Sequence, residues 1–296
     1  MRVQEGFIPV TGQYRVWYRI VGGGAAHEDL PLLTLHGGPG VPHDYITDME
    51  ALASDTRRVI FYDQLGCGRS DQPDNPAMWT IKRSVEEIGI VRHALGLDKV
   101  HLWGQSFGGL FALEYTLSQP AGLVSLILAS STSSIPLWIA EANRLREDLP
   151  PEVQVTLLQH EQAGTLDDPE YRAATQVFYD RHVIRLKPVP AHVQRAMDQA
   201  GQVYTTMNGP TEFHVIGTIK DWDRTHRLSE IRVPTLITSG LYDESTPHIN
   251  EVLHNGIAGS TWVLFKHSSH MAHVEERDLY LLTIQRFLAE VEARAN

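Results

Sequence analysis

Cysteine is nearly absent. Cys67 is the only one in 296 residues, so no disulfide can form within the chain and a cystine-stapled scaffold is excluded. Basic residues are outnumbered, 25 Lys and Arg against 36 Asp and Glu, for a formal net charge of −11. That balance disfavours nonspecific phosphate binding and a nucleic-acid partner, and it suits cationic groups such as peptide amines. Long apolar runs are missing too. The longest lies near Leu123 to Ala129 and is interrupted by Ser125, far short of the roughly 20 residues a membrane helix needs. No membrane partner is therefore expected. Met1 to Gly6 hold no apolar stretch, and the expectation is a soluble, cytoplasmic protein without a secretory signal. No internal repeat, low-complexity tract or block of like charges stands out.

What is present is the balance of a globular chain, 42% hydrophobic and 21% charged. The length suggests two domains, or one core with a large insertion. Eight apolar stretches read as strands: Phe7 to Val10, Tyr14 to Ile20, Leu30 to Leu35, Arg58 to Tyr62, Lys99 to Trp103, Leu123 to Ala129, Pro234 to Gly240 and Thr261 to Phe265. Helical spacing runs through Thr80 to Leu97, Phe107 to Ser118 and Glu275 to Glu290. Alternating strands and helices predict an α/β fold, a mostly parallel sheet of about eight strands with helices on both faces. From Ile135 to about Thr225 no strong strand signal remains, and helical stretches are broken by Pro150-Pro151, Gly164, Pro188, Pro190 and Gly209-Pro210. The expected organisation is a core of residues 1–134 and 226–296 with a helical cap of residues 135–225. Such a cap would lie over the strand ends, where open α/β sheets bind ligands.

The sharpest motif is Gly104-Gln105-Ser106-Phe107-Gly108, followed by Gly109. A predicted strand precedes it and a predicted helix opens from it, the setting a nucleophile elbow requires. Glycines at both flanks remove the Cβ atoms that would collide in so tight a bend. The Ser106 hydroxyl then stands above the sheet at the positive end of a helix. His36-Gly37-Gly38-Pro39-Gly40 follows the third strand, and its glycines let backbone N–H groups point at one spot. Gly38 is favoured as one oxyanion donor, with the N–H of Phe107 as the other. A serine nucleophile needs a base, and the base needs an orienting carboxylate. The acid should follow the next-to-last strand, which points to Asp243, since Thr246-Pro247 already supplies the helix cap. The base should follow the last strand, where His267, His270 and His273 compete on position alone. With Glu275 and Glu276 these histidines do not form a His-Glu-x-x-His zinc pattern, so no metal is expected. Gly66-Cys67-Gly68-Arg69-Ser70 lacks the marks of a dinucleotide or phosphate loop and reads as a tight turn.

Together these segments resemble the α/β-hydrolase superfamily and, within it, the proline iminopeptidase family, over nearly the whole chain. Its three N-terminal signatures are similar to His36 to Gly40, Asp63-Gln64-Leu65-Gly66-Cys67-Gly68-Arg69-Ser70 and the elbow. Ser268-Ser269-His270-Met271 resembles its catalytic histidine segment and singles out His270. Met207-Asn208-Gly209-Pro210-Thr211-Glu212-Phe213, continuing to Trp222, is similar to the tricorn-interacting aminopeptidase branch. That likeness implies that Glu212 and Glu244 bind the free amine of a substrate. The elbow departs from the family's usual Gly-Gly-Ser-Trp-Gly-Ser, a departure that broader aminopeptidases and amino-acid amidases share in look. The resemblance thus implies a serine aminopeptidase that releases an N-terminal residue, proline or another, from short peptides or amino-acid amides through an acyl-enzyme. It needs no metal or organic cofactor. Gly37 would help to bind substrate, and Tyr204, Phe213 and Trp222 would line the side-chain pocket. A capped esterase, lactonase or carbon–carbon hydrolase with the same triad is the alternative, and a hydrolase-fold binding protein a more distant one.

Overall fold

A computed structural model describes residues 1–24 and 29–295. Eight strands form one sheet: β1 (Val3–Thr11), β2 (Tyr14–Gly22), β3 (Leu32–Leu35), β4 (Arg58–Tyr62), β5 (Val100–Gln105), β6 (Leu123–Ala129), β7 (Thr235–Gly240) and β8 (Thr261–Phe265). Their spatial order is β1-β2-β4-β3-β5-β6-β7-β8. The first two pairings are antiparallel and all the others parallel. The parallel strands are buried on both sides, and alternate residues feed two apolar layers. Leu33, Ile60, Leu102 and Leu126 enter one layer, while Leu32, Phe61, Trp103 and Ile127 enter the other. Near-continuous Val, Ile and Leu at these positions is the pattern that double burial demands.

Among the described residues there are ten α-helices: α1 (Ile81–Ala94), α2 (Phe107–Leu117), α3 (Ile135–Glu147), α4 (Pro151–Ala163), α5 (Pro169–His182), α6 (Ala191–Met197), α7 (Gln202–Met207), α8 (Pro247–Gly256), α9 (Ala272–Glu275) and α10 (Arg277–Ala295). Helices α3 to α7 all fall between β6 and β7. The ends of that stretch meet in a single bridge, Ser134 with Asp223. Trp138, Phe178 and Phe213 from it join the same apolar layer as Leu33 and Leu102 of the sheet. Among the described residues no helix is long and apolar enough to cross a membrane.

Element boundaries differ from the sequence pattern in two instructive places. The third strand starts at Leu32 rather than Leu30, because the Leu30 N–H is drawn to the Glu292 carboxylate, 3.0 Å away. The final helix, expected from Glu275, is broken at Glu276. Glu275 accepts from the backbone of Ser269 and Arg185, and Glu276 from the backbone of His267 and the hydroxyl of Ser268. Both side chains turn back to hold the loop that precedes them.

Candidate active site

The chain passes from β5 to α2 through one residue, Ser106, at φ 55°, ψ −123°. A non-glycine residue adopts a positive φ only where its surroundings impose it. Here the bend brings strand and helix so close that a Cβ on Gly104 would collide with the backbone of Gly108. The turn is pinned by Ser106 N–H donating to Ala129 O at 2.8 Å and by Ser131 Oγ donating to Ser106 O at 2.9 Å. Ser106 is 7% exposed. Its neighbour Phe107 is the first residue of α2. The loop after β3 approaches the same place, and a Cβ on Gly37 would press on the Ser106 Cβ. The Gly37 N–H is already donated to Tyr45 Oη at 2.7 Å. Gly38, at φ 110°, holds a conformation foreign to other residues, and among the described residues no hydrogen bond occupies its N–H.

Asp243 lies in the turn after β7 and is buried. Its Oδ1 accepts the Ser245 N–H at 2.8 Å and stands 2.8 Å from His270 Nδ1. His270 is 4% exposed. With Nδ1–H donated to Asp243, the ring's lone pair is on Nε2. The Trp138 ring packs edge-on to this imidazole at 5.8 Å. No hydrogen bond joins Ser106 Oγ to His270 Nε2 among the described residues, in keeping with catalytic contacts that tighten only when substrate is bound. Neither competing histidine takes this place. The His267 N–H is engaged by Glu276. His273 is buried against Trp103 and Tyr280 and donates from Nε2 to Tyr45 O at 3.1 Å, and burial pushes its pKa down to about 4.

Two further carboxylates complete the site. Glu244 is fully buried, and His270 Nε2 is 3.6 Å from its Oε1. Among the described residues neither of its oxygens has a hydrogen-bond partner, and Glu212 Oε2 has none either. Glu212 Oε1 accepts from Tyr204 Oη at 2.9 Å, and its backbone is held by Tyr179 Oη at 3.3 Å and Trp138 Nε1 at 2.9 Å. Burial raises the pKa of Glu244 well above the ordinary carboxylate range, and the negative Glu212 and Asp243 raise it further. Burial also raises Glu212, though His270 and the Tyr204 hydroxyl draw it back. Buried acceptors are nearly always satisfied. Among the described residues, these three carboxylate oxygens lack the donors that burial calls for.

The other expected positions divide. Tyr204 reaches Glu212, as described. Phe213 packs on Phe178, ring centroids 4.8 Å apart, with the Arg146 guanidinium over it. Trp222 donates to Glu114 at 3.1 Å and lies under Arg224. Neither ring contacts His270 or the two glutamates by hydrogen bond or ring packing among the described residues. Tyr45, Gln105, Trp138, Tyr179 and His182 touch the site residues and escaped sequence reasoning. Gln105 alone stood inside a motif.

Residues 31–277 match a family described as alpha/beta hydrolase fold. The proline iminopeptidase of Saccharolobus solfataricus is 42% identical over 98% of this chain and 94% of its own. That of Thermoplasma volcanium is 40% identical over 97% of each. The crystal structure of the Mycobacterium smegmatis proline iminopeptidase superposes with a TM-score of 0.91 at 37% identity, covering 99% of this chain and all of that one.

Proposed function

Since the chain belongs to the proline iminopeptidase family of α/β hydrolases, we propose that its hydrolase and aminopeptidase activity runs through Ser106, His270 and Asp243, with Glu212 and Glu244 selecting a free N-terminal amine. The substrates are peptides; the finer assignment is to short ones, or amino-acid amides. The single observation that carries it is the set of orphaned oxygens on Glu212 and Glu244, with Glu244 Oε1 3.6 Å from His270 Nε2. An N-terminal ammonium offers two donors on proline or three on other residues, and one positive charge, which is what those oxygens lack. A chain interior has no such group, so only the first residue of a peptide would be held with its carbonyl over Ser106.

His270 Nε2 takes the Ser106 proton as the hydroxyl oxygen bonds to the carbonyl carbon. The N–H groups of Gly38 and Phe107 receive the oxyanion, and Asp243 holds the ring's orientation and stabilises the imidazolium. His270 then returns the proton to the leaving amine. Water, deprotonated by the same nitrogen, releases the amino acid from the acyl-enzyme. In this reading helices α3 to α7 form a cap that limits entry to short chains, consistent with Trp138 on α3 and Tyr179 on α5 both gripping Glu212.

The test pairs free with N-acetylated prolyl, alanyl and leucyl arylamides and follows labelling by a fluorophosphonate. The expected result is turnover of the free amines alone and labelling that Ser106→Ala abolishes. Equal turnover of the acetylated series would reject the amine anchor, and labelling that survives Ser106→Ala would reject the nucleophile.

A further inference from the structure

Gln105 ends β5 immediately before Ser106, and it is 1% exposed. Its side chain does not point to a reacting atom. It joins two loops that the chemistry must keep in register. Gln105 Oε1 accepts from Tyr45 Oη at 2.6 Å, and Tyr45 Oη accepts the Gly37 N–H at 2.7 Å. Gln105 Nε2 donates to the backbone carbonyl of His270 at 3.1 Å. A chain of hydrogen bonds thus runs from the loop after β3, through the residue beside the elbow, to the loop that carries His270.

Its direction is fixed by the donor inventory. Tyr45 has one hydroxyl proton and uses its lone pair on Gly37, so the proton goes to an acceptor on Gln105. The His270 carbonyl can only accept, so the amide nitrogen must face it. Flipping the amide would set two acceptors against each other at His270 and leave the phenol proton facing an NH2 group. Burial also raises the Tyr45 pKa, keeping the phenol protonated as a donor. The other end of the same residue is gripped from α5, where His182 O accepts the His270 N–H at 3.2 Å. The backbone of His270 is therefore held at both ends, and Gln105 is the side-chain half of that grip.

We propose that Gln105 is a positioning residue that, with Tyr45, sets the His270 imidazole in register with the oxyanion loop. The proposal rests on the reading of Ser106 as nucleophile and His270 as base. It makes Gln105 a determinant of the chemical step and not of substrate binding, because neither of its side-chain hydrogen bonds goes to Glu212 or Glu244.

The experiment compares wild type with Gln105→Met, which keeps the length and removes both bonds, and Gln105→Glu, which keeps the shape and removes the donor. A misplacement of the base by a fraction of an ångström to 1 Å is expected to lower kcat by up to about 10²-fold while KM stays within about twofold. Gln105→Glu should be similarly impaired where its carboxyl is ionised, at the alkaline end, and recover as the pH falls, since a protonated carboxyl donates to the His270 carbonyl again; wild type should show no such gain. Should Gln105→Met not fold, Tyr45→Phe removes the Oη link alone, and the same split of kcat from KM is read there. Wild-type kcat in Gln105→Met per fluorophosphonate-reactive site, or a wild-type pH profile in Gln105→Glu, would overturn the proposal. Failure of the nucleophile reading would look different, as loss of labelling specificity at Ser106 in the wild type itself.

Discussion

At the end of the sheet where the parallel strands begin, Glu292 of α10 has a fully used carboxylate. Arg57 donates to both of its oxygens at 2.9 Å, His101 Nε2 stands at 3.1 Å, and the Leu30 N–H donates at 3.0 Å. Burial alone would raise its pKa, but the bonds from His101 and Arg57 outweigh that and hold it at about 2. At the opposite end, just past β7, Glu244 is fully buried with neither oxygen bonded among the described residues, and its pKa is driven up. The same strand links the two places, since β5 carries His101 near one end and Gln105 at the other. A satisfied, half-buried carboxylate fastens a helix to a sheet; a fully buried, unsatisfied one lacks the donors that would offset its desolvation. The contrast sets a fastened carboxylate against one that, in the function proposed above, receives an amine.

The widest gap in that contrast should open in activity. If the two glutamates hold the amine as proposed, Glu244→Gln or Glu212→Gln removes one charge from that receptacle and should cost about 3 kcal/mol of transition-state binding, on the order of 10²-fold in kcat/KM, for free-amine substrates. Turnover of a neutral aryl ester should change far less. Steady-state kinetics on matched amine and ester substrates checks this. A uniform loss on both would place the glutamates with Glu292, as structural groups.

The elbow was legible because every condition it must meet is local: a strand, two glycines, a serine and a helix within a dozen residues. Asp243 drew attention by its place after the seventh strand, and the structure sets its carboxylate 2.8 Å from His270 Nδ1. His270 was less so, because the feature that excludes His273 is the cage of Tyr45, Trp103 and Tyr280, which comes from three distant parts of the chain. Glu212 was visible only through resemblance. Its position depends on hydroxyls of Tyr179 and Tyr204 from two different helices, and no spacing rule encodes such a meeting. Gln105 sat in plain view, yet a side chain that bonds a backbone carbonyl 165 residues away leaves no periodic signal. His182 contributes its carbonyl to the N–H groups of both Glu244 and His270, and a backbone oxygen has no residue type to recognise.

On the structural side of the contrast, Glu292→Ala should leave kcat and KM near wild type and lower stability by about 2 kcal/mol at neutral pH, discounted for partial exposure of the pair. The sign follows from a depressed folded pKa. The contribution is complete above the ordinary value of 4.5 and fades as the pH falls towards about 2. Urea titrations at pH 7 and pH 3 should therefore show wild type and variant converging in acid. A constant offset would mean that Glu292 acts through packing alone.

The smallest expected effect is the most discriminating, because it runs against intuition. Glu244 has a raised folded pKa, so its contribution to stability is complete below the ordinary value of 4.5 and is lost as the pH rises above it. Glu244→Gln keeps the shape and cannot ionise, so it should be more stable than wild type at pH 8 and indistinguishable at pH 4. Every tenfold difference in proton affinity between the folded and unfolded chain is worth about 1.4 kcal/mol, which translates to a few degrees in Tm for a chain of this size. A saturating amino-acid amide should raise the wild-type Tm at pH 8 and leave that of the variant nearly unmoved, since the ammonium fills in wild type the deficit that the substitution has abolished. Were Glu244→Gln destabilising at every pH, the carboxylate would have partners in the folded protein, and the separation from Glu292 would collapse.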